Sequence, residues 1–137
     1  WRAYYMIDGT ESSLWFAGTG EIAFSSWGYA NNEISQVNIE SVNESTAYCI
    51  AKPDLEELFN SSIELSNFGR KIFEQEILFI DSYTLSYGTP SATERYLTLM
   101  EENPELLQYV PLKHLASYLY ITPQSLSRIR AGLKRRR

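Results

Sequence analysis

The spacing of apolar positions divides the chain into a strand-like part and a helical part. Aromatic and branched residues crowd two short runs, Trp1-Arg2-Ala3-Tyr4-Tyr5-Met6-Ile7 and 12–17, on either side of Asp8-Gly9, a dipeptide that favours the tight turn of a β-hairpin. A run of strand beginning at residue 1, without an initiator Met, predicts that a further N-terminal part precedes it. The polar stretch Ser25-Ser26-Trp27-Gly28-Tyr29-Ala30-Asn31-Asn32 reads as a loop, and two more strand-like runs, 36–41 and 45–50, flank Val42-Asn43-Glu44. In the first of these, Val37 and Ile39 alternate with Gln36, Asn38 and Glu40, the period of a half-buried strand. Four strands joined by short turns predict a mainly antiparallel sheet or roll.

From Pro53 the period becomes helical. Asp54, Glu56 and Glu57 follow that proline in the first turn of a short helix ending near Asn60, where carboxylates complement the helix dipole. A longer helix over 62–85 contains no proline and one interior glycine, Gly69. It carries two apolar stripes, Leu65, Phe68, Ile72, Phe79 and Tyr83 along one and Phe73, Ile77 and Ile80 along a shorter second, which fades at Thr84. One stripe is enough to pack on the chain's own sheet, so the other is a candidate dimer seam, unless further elements bury both within one chain.

Two breakers within Tyr87-Gly88-Thr89-Pro90 predict a linker. Beyond it, Ser91-Ala92-Thr93-Glu94 is a capping-box pattern opening a helix with Tyr96, Leu97 and Met100, and Asn103-Pro104 ends that helix. A short helical segment, 105–110, leads into residues 111–133, which read as two helices joined by a tight turn. Leu112, Leu115, Ala116 and Leu119 form one face of the first. Thr122 and Pro123 open the second as N-cap and first-turn proline. In that helix Leu126, Ile129 and Leu133 share a face opposite Gln124, Ser127, Arg128 and Ala131. The pattern predicts a helix-turn-helix whose outer face is short, polar and carries a guanidinium, and three or four helices in under fifty residues match the size of a plain or winged domain of that kind.

Charge sharpens this division. The net charge is −5, yet residues 1–111 hold five Lys+Arg with all 17 Asp+Glu, whereas residues 112–137 hold seven Lys+Arg and no acid. A cationic segment that starts where the helix pair starts is the electrostatic footprint of a phosphate-contacting surface, although a solvated basic tail has the same composition. With 137 residues at 44% hydrophobic content, one domain or two small ones can form a core. No apolar run approaches a membrane span, no leader pattern is present, and the single Cys49 cannot form an intrachain disulfide, so the sequence reads as cytoplasmic. In that compartment the glycosylation patterns Asn43-Glu44-Ser45 and Asn60-Ser61-Ser62 carry no meaning.

Catalysis finds little purchase. His114, the one histidine, falls within the first helix of the pair, where a surface or capping role is commoner than chemistry. Cys49 sits in an apolar strand-like run and reads as a small buried hydrophobe. No carboxylate pair has a metal-ligand partner and no phosphate loop is present, so no metal, cofactor or enzymatic activity is expected.

Several runs together carry a family resemblance: Glu94-Arg95-Tyr96-Leu97, Glu102-Asn103-Pro104-Glu105-Leu106-Leu107, Val110-Pro111-Leu112, Leu115-Ala116-Ser117-Tyr118-Leu119, Ile121-Thr122-Pro123 and Leu126-Ser127-Arg128-Ile129-Arg130. These resemble the Crp/Fnr family of bacterial transcriptional regulators, most of all its members in Bacteroidetes. Lys52-Pro53-Asp54-Leu55-Glu56-Glu57-Leu58 and Phe68-Gly69-Arg70 are similar to the join between that family's β-roll and its long helix. The resemblance implies an α+β chain in three parts: a partial, N-terminally truncated cyclic-nucleotide-binding-like roll (1–60), a dimerisation helix and hinge (61–88), and a winged-helix-like DNA-binding domain (89–137). It implies double-stranded DNA and a second copy of the chain as partners, with RNA polymerase as a further candidate. Gly20-Glu21 is similar to the start of the family's phosphate-binding cassette, but Ser35-Gln36 stands where that cassette has Arg-Ser. No Lys or Arg occurs from Ala3 to Ala51, and six acidic residues do, so a cyclic phosphate would lack its charge-assisted bonds. Cyclic AMP is therefore not expected to bind, and the effector is left unassigned. Trp15, Phe16, Phe24, Trp27 and Tyr29 are better explained as core than as the lining of a pocket.

In chemical terms Arg128 suits guanine O6 and N7, and Gln124, one turn earlier, suits adenine N6 and N7. In the family the matching positions are the base readers, while Pro123 replaces a polar residue common there. Ser125 and Ser127 can meet bases or phosphates, and Thr122 caps the helix within reach of a phosphate. Lys113, Arg130, Lys134 and Arg135 are assigned to phosphates. Tyr120 occupies a position where such turns often have glycine, which makes the turn geometry a point to check. The competing expectation is a ligand-sensing or protein-interaction module whose helix-turn-helix is degenerate.

Overall fold

Asp8 and Gly9 turn the chain with φ of 47° and 75°, the left-handed pair of a two-residue hairpin turn. The turn joins β1 (Arg2–Ile7) to β2 (Thr10–Phe16), antiparallel, with a register shift between Ala3 and Tyr4. The computed structural model describes residues 1–31, 33–87 and 91–135, without the side chains of 31, 83, 84, 86 and 87. Predicted features on Asn32, the Gly88-Thr89-Pro90 linker, Arg136 and Arg137, and the side chains of Tyr83 and Thr84, lie outside the described residues.

Where a loop was expected, α1 (Ser26–Asn31) forms instead, because Ser25 acts as its cap: its carbonyl accepts from Tyr29 N–H at 3.0 Å and its Oγ from Gly28 N–H at 3.4 Å. The strand-like run at 36–41 contracts to β3 (Asn38–Glu40), paired antiparallel with β1 so that Arg2 faces Glu40 and Ala3 faces Ile39. The described sheet thus has three strands in the order β2-β1-β3, not four. Residues 45–50 form no strand and are exposed, Cys49 included, which corrects its reading as a buried hydrophobe. Their strand propensity is not matched by pairing with any described strand, and propensity alone does not hold a strand.

Helices follow: α2 (Lys52–Ser61), α3 (Ile63–Tyr87), α4 (Ala92–Glu102), α5 (Leu106–Tyr109), α6 (Leu112–Tyr118) and α7 (Pro123–Lys134). The chain is α+β, and contacts group it into two units, residues 1–45 with 91–137 and residues 46–90. In the second unit α2 and α3 form a helical hairpin. Ser62 ends the one and starts the other, with its Oγ accepting from Leu65 N–H at 3.3 Å, and Ser66 Oγ donates back to the Phe59 carbonyl. Gly69 sits where the Phe59 ring crosses α3, since a Cβ there would lie 2.5 Å from Phe59 Cζ. Neither apolar stripe of α3 is closed over: Phe68 and Ile77 are each 59% exposed, Ile80 is exposed as well, and Ile72 and Phe73 are half-buried.

In the first unit the core is built by Tyr96 and Leu99 of α4, Val110, Leu115, Ala116 and Leu119 around α6, and Leu126 of α7, with Phe16 of β2 packed against it. The capping box of α4 is complete, Ser91 Oγ accepting from Glu94 N–H at 3.2 Å and Glu94 Oε2 from Ser91 N–H at 2.6 Å. Of the three apolar residues expected to mark α4, Tyr96 is buried and Met100 packs on the core, while Leu97 is exposed and Leu99 is buried with them.

Candidate nucleic-acid interface

The turn between α6 and α7 is built from backbone bonds that an ordinary helix end leaves open. Tyr120 adopts φ 54°, Tyr120 N–H donates to Ser117 O at 3.1 Å, and Ile121 N–H donates to Ala116 O at 3.0 Å. This is a Schellman closure with tyrosine in the left-handed position that glycine usually takes, at a cost of roughly 1–2 kcal/mol in backbone sterics. Two features offset that cost. Arg95 of α4 donates through Nη2 to the Leu119 carbonyl at 2.9 Å, placing a cation at the C-terminus of α6. Ile121 packs on the core that contains Ala116, the apolar contact that accompanies such a cap. Burial, reinforced by neighbouring Tyr5 of β1, pushes the Tyr120 phenol up to about 12.

Thr122 then starts α7. Its backbone is extended (φ −75°, ψ 153°), its Oγ1 accepts from Ser125 N–H at 3.2 Å and donates to Ser125 Oγ at 3.0 Å, and Pro123 needs no partner for an absent N–H. Leu126 is fully buried, while Ile129 and Leu133 are half-buried against the same core. The opposite face leaves Gln124, Ser127, Arg128 and Ala131 exposed along two turns. Ser125 is half-buried with its hydroxyl engaged by Thr122, so it supports the cap more than the outer face. Arg130 stands one turn beyond Leu126 and is half-buried on the flank of α7. Lys134 and Arg135 are exposed at the C-terminal end of α7, and Lys113 is exposed near the start of α6.

Among the described residues the ion pairs belong to Arg2, Lys52 and Arg70. Lys113, Arg128, Arg130, Lys134 and Arg135 take part in none of them, so the basic side chains of α6 and α7 are left to solvent or to an external anion. Lys113 also acts on Glu11 of β2, whose carboxylate is held below its usual range first by its bond to Arg2 and to a smaller extent by His114 and Lys113.

Of the four residues of the expected effector pocket, Gly20 and Glu21 lie between β2 and α1, and Ser35 and Gln36 between α1 and β3. Gly20 lies in an exposed turn with φ 84°, Glu21 Oε2 accepts from Gly18 N–H at 2.6 Å, and Gln36 is exposed. Ser35 Oγ is 2.6 Å from Ser25 Oγ, accepts from Val37 N–H at 3.0 Å and donates to Val37 O at 2.8 Å. The polar atoms of Glu21 and Ser35 are thus engaged within their own loops.

Sequence reasoning missed a cluster on the other side of α6. Arg2, only 1% exposed, donates through Nε to Glu40 (2.6 Å), through Nη2 to Glu11 (2.5 Å) and through Nη1 to Ser13 Oγ (3.3 Å), and lies over the Tyr4 ring at 4.3 Å from its centroid. Its remaining contact is His114 Nδ1, 2.5 Å from Nη1. His114 is buried, which corrects the expectation of a surface or capping histidine. A period-3 spacing with Ser117, whose Oγ donates to Ser13 Oγ at 2.8 Å and accepts from Ser13 N–H at 3.2 Å, was the available signal that this flank of α6 meets a polar surface.

No helix of the described residues is long and apolar enough to cross a membrane, and no group of three or more His, Cys, Asp or Glu among them is arranged to hold a metal ion. Comparison with protein-family models, with curated proteins and with solved structures gives no match for this chain, so a functional reading rests on its own side chains.

Proposed function

We propose that this chain is a sequence-specific DNA-binding transcriptional regulator that reads the major groove with α7 and engages a two-fold-related site as a dimer. The observation that carries the reading is the two-sidedness of α7: a fully buried Leu126 fixes the helix from behind while Gln124, Ser127 and Arg128 face outward from a capped N-terminus. Recognition helices present their N-terminal residues to base edges in this way, and guanidinium and carboxamide groups are the side chains that read guanine and adenine bidentately. The absence of acids from residue 112 onward, together with unpaired Lys113, Arg130, Lys134 and Arg135, supports phosphate contacts flanking the helix. The open apolar stripe of α3 supports pairing with a second copy, and a two-fold-related site presents its half-sites about 34–36 Å apart on one face of the duplex.

Cyclic AMP is not part of the proposal, because the loops around Glu21 and Ser35 satisfy their own polar atoms and contain no cation. Selection from a random DNA library, followed by anisotropy titrations at 50 and 200 mM salt, tests the reading. A two-fold-related motif whose affinity falls steeply with salt supports it. Recovery of no motif, with no salt-dependent binding to any duplex, overturns it in favour of a sensing or protein-interaction module.

A further inference from the structure

A buried guanidinium is tolerated only when its N–H groups are matched, and Arg2 has two carboxylates, a hydroxyl and one imidazole nitrogen to match them. Three strands and one helix meet there: Arg2 from β1, Glu11 and Ser13 from β2, Glu40 from β3, and His114 from α6. Arginine has donors only, so at 2.5 Å from Nη1 the Nδ1 of His114 must be the acceptor, and its proton must sit on Nε2. Beside it, Ser13 and Ser117 bridge the same two elements through hydroxyl and backbone. The hold of the sheet on this flank of α6 is polar and includes a histidine that accepts a bond, beside the edge-on packing of Phe16 of β2 on Tyr118 of α6.

We infer that His114 is a proton-operated latch: neutral, it accepts from Arg2 and keeps β1 and β2 on α6, and uptake of a proton at Nδ1 turns the acceptor into a donor facing a donor and releases the sheet. The charged groups around the ring oppose one another. Arg2 from β1 and Lys113 from α6 disfavour the imidazolium, Glu11 from β2 and Glu40 from β3 favour it, and desolvation, the largest influence, disfavours it, so the balance holds His114 below its ordinary value. A base whose folded value is depressed contributes stability that is complete above its unfolded value near 6.5 and is lost as pH falls below that. The inference does not depend on the DNA reading, since α4 to α7 keep their own apolar core without the sheet's polar contacts.

His114 is the only histidine, so its ring nitrogens can be observed without assignment ambiguity by long-range proton–nitrogen correlation in the whole chain. The expected results are the Nε2–H tautomer at pH 8 and a drop, about tenfold at the most, in amide-exchange protection at Ser13 and Ala17 between pH 7.5 and 5.5, after correction for intrinsic rates. His114→Gln keeps an acceptor for Arg2 but cannot titrate, so its protection should change only by what the carboxylates contribute, less than in the natural chain. An Nδ1–H tautomer, or flat protection in the natural chain, overturns the inference, as does an equal drop in His114→Gln. Should that variant not fold, the first two measurements decide alone.

Discussion

Gly69 of α3 faces the ring of Phe59 in α2 so closely that three ring atoms lie 2.5, 2.7 and 3.1 Å from where a Cβ would stand. Replacing an exposed mid-helix glycine by alanine ordinarily gains about 1 kcal/mol in helix propensity. Here overpacking against a rigid ring costs about 1–3 kcal/mol, so steric conflict wins. Gly69→Ala is predicted to destabilise the 46–90 unit. In a Phe59→Ala background the same change should become stabilising, and a chemical-denaturation double-mutant cycle measures the reversal. Equal effects in both backgrounds would show that the ring does not set the requirement for glycine.

Thr122 holds the entry of α7 through one side-chain oxygen. Thr122→Ala should cost about 1 kcal/mol, within the usual range for losing an N-cap, whereas Thr122→Ser should stay within a few tenths. Thermal unfolding of the two variants distinguishes a cap from a merely polar surface residue. A loss of the same size in both would point to the methyl group rather than the hydroxyl.

On DNA, Arg128→Ala is expected to cost about 1–3 kcal/mol and to relax preference at one base pair per half-site, because a bidentate guanine contact is lost. Neutralising Lys113 or Lys134 should instead weaken binding to all sequences alike and flatten the salt dependence by about one counterion per contact. The binding-site profile of each variant, measured by library selection, separates base readers from phosphate contacts. An unchanged profile for Arg128→Ala removes Arg128 from the reading set.

For the pairing of two copies, Phe68→Lys with Ile77→Lys places charges on both exposed apolar stripes of α3 without touching the Gly69–Phe59 crossing. Sedimentation velocity should shift the chain to a monomer, and half-site affinity should persist while affinity for the full two-fold site falls. A monomeric natural chain would remove the dimer from the proposal.

The sequence made the C-terminal helices legible because their signals are local. The Ser91–Glu94 box, the Thr122-Pro123 start and the i, i+3, i+4 recurrence of Leu112, Leu115, Ala116 and Leu119 each lie within one or two helical turns, and each corresponds to a cap or a buried face in the structure. Sheet pairing is a relation between distant segments, and there the reading was weaker. Residues 45–50 look like strand and find no partner, while Ser25 converts an apparent loop into α1. Tyr120 visibly occupies a glycine-like position, but nothing local announces that Arg95 supports the carbonyl just before it. The Arg2–His114 contact, spanning 112 residues, was beyond any window.

That span also orders events in time. The helices after residue 90 close on near neighbours, and residues 46–90 fold back on themselves as α2 against α3, whereas β1 must find α6 across nearly the whole chain. Closing a flexible loop of that length costs about 4 kcal/mol before any contact forms. Sheet docking is therefore expected to be the slow, late step of refolding and the first to reverse, so that the helical core matures while the N-terminal strands are still searching for it.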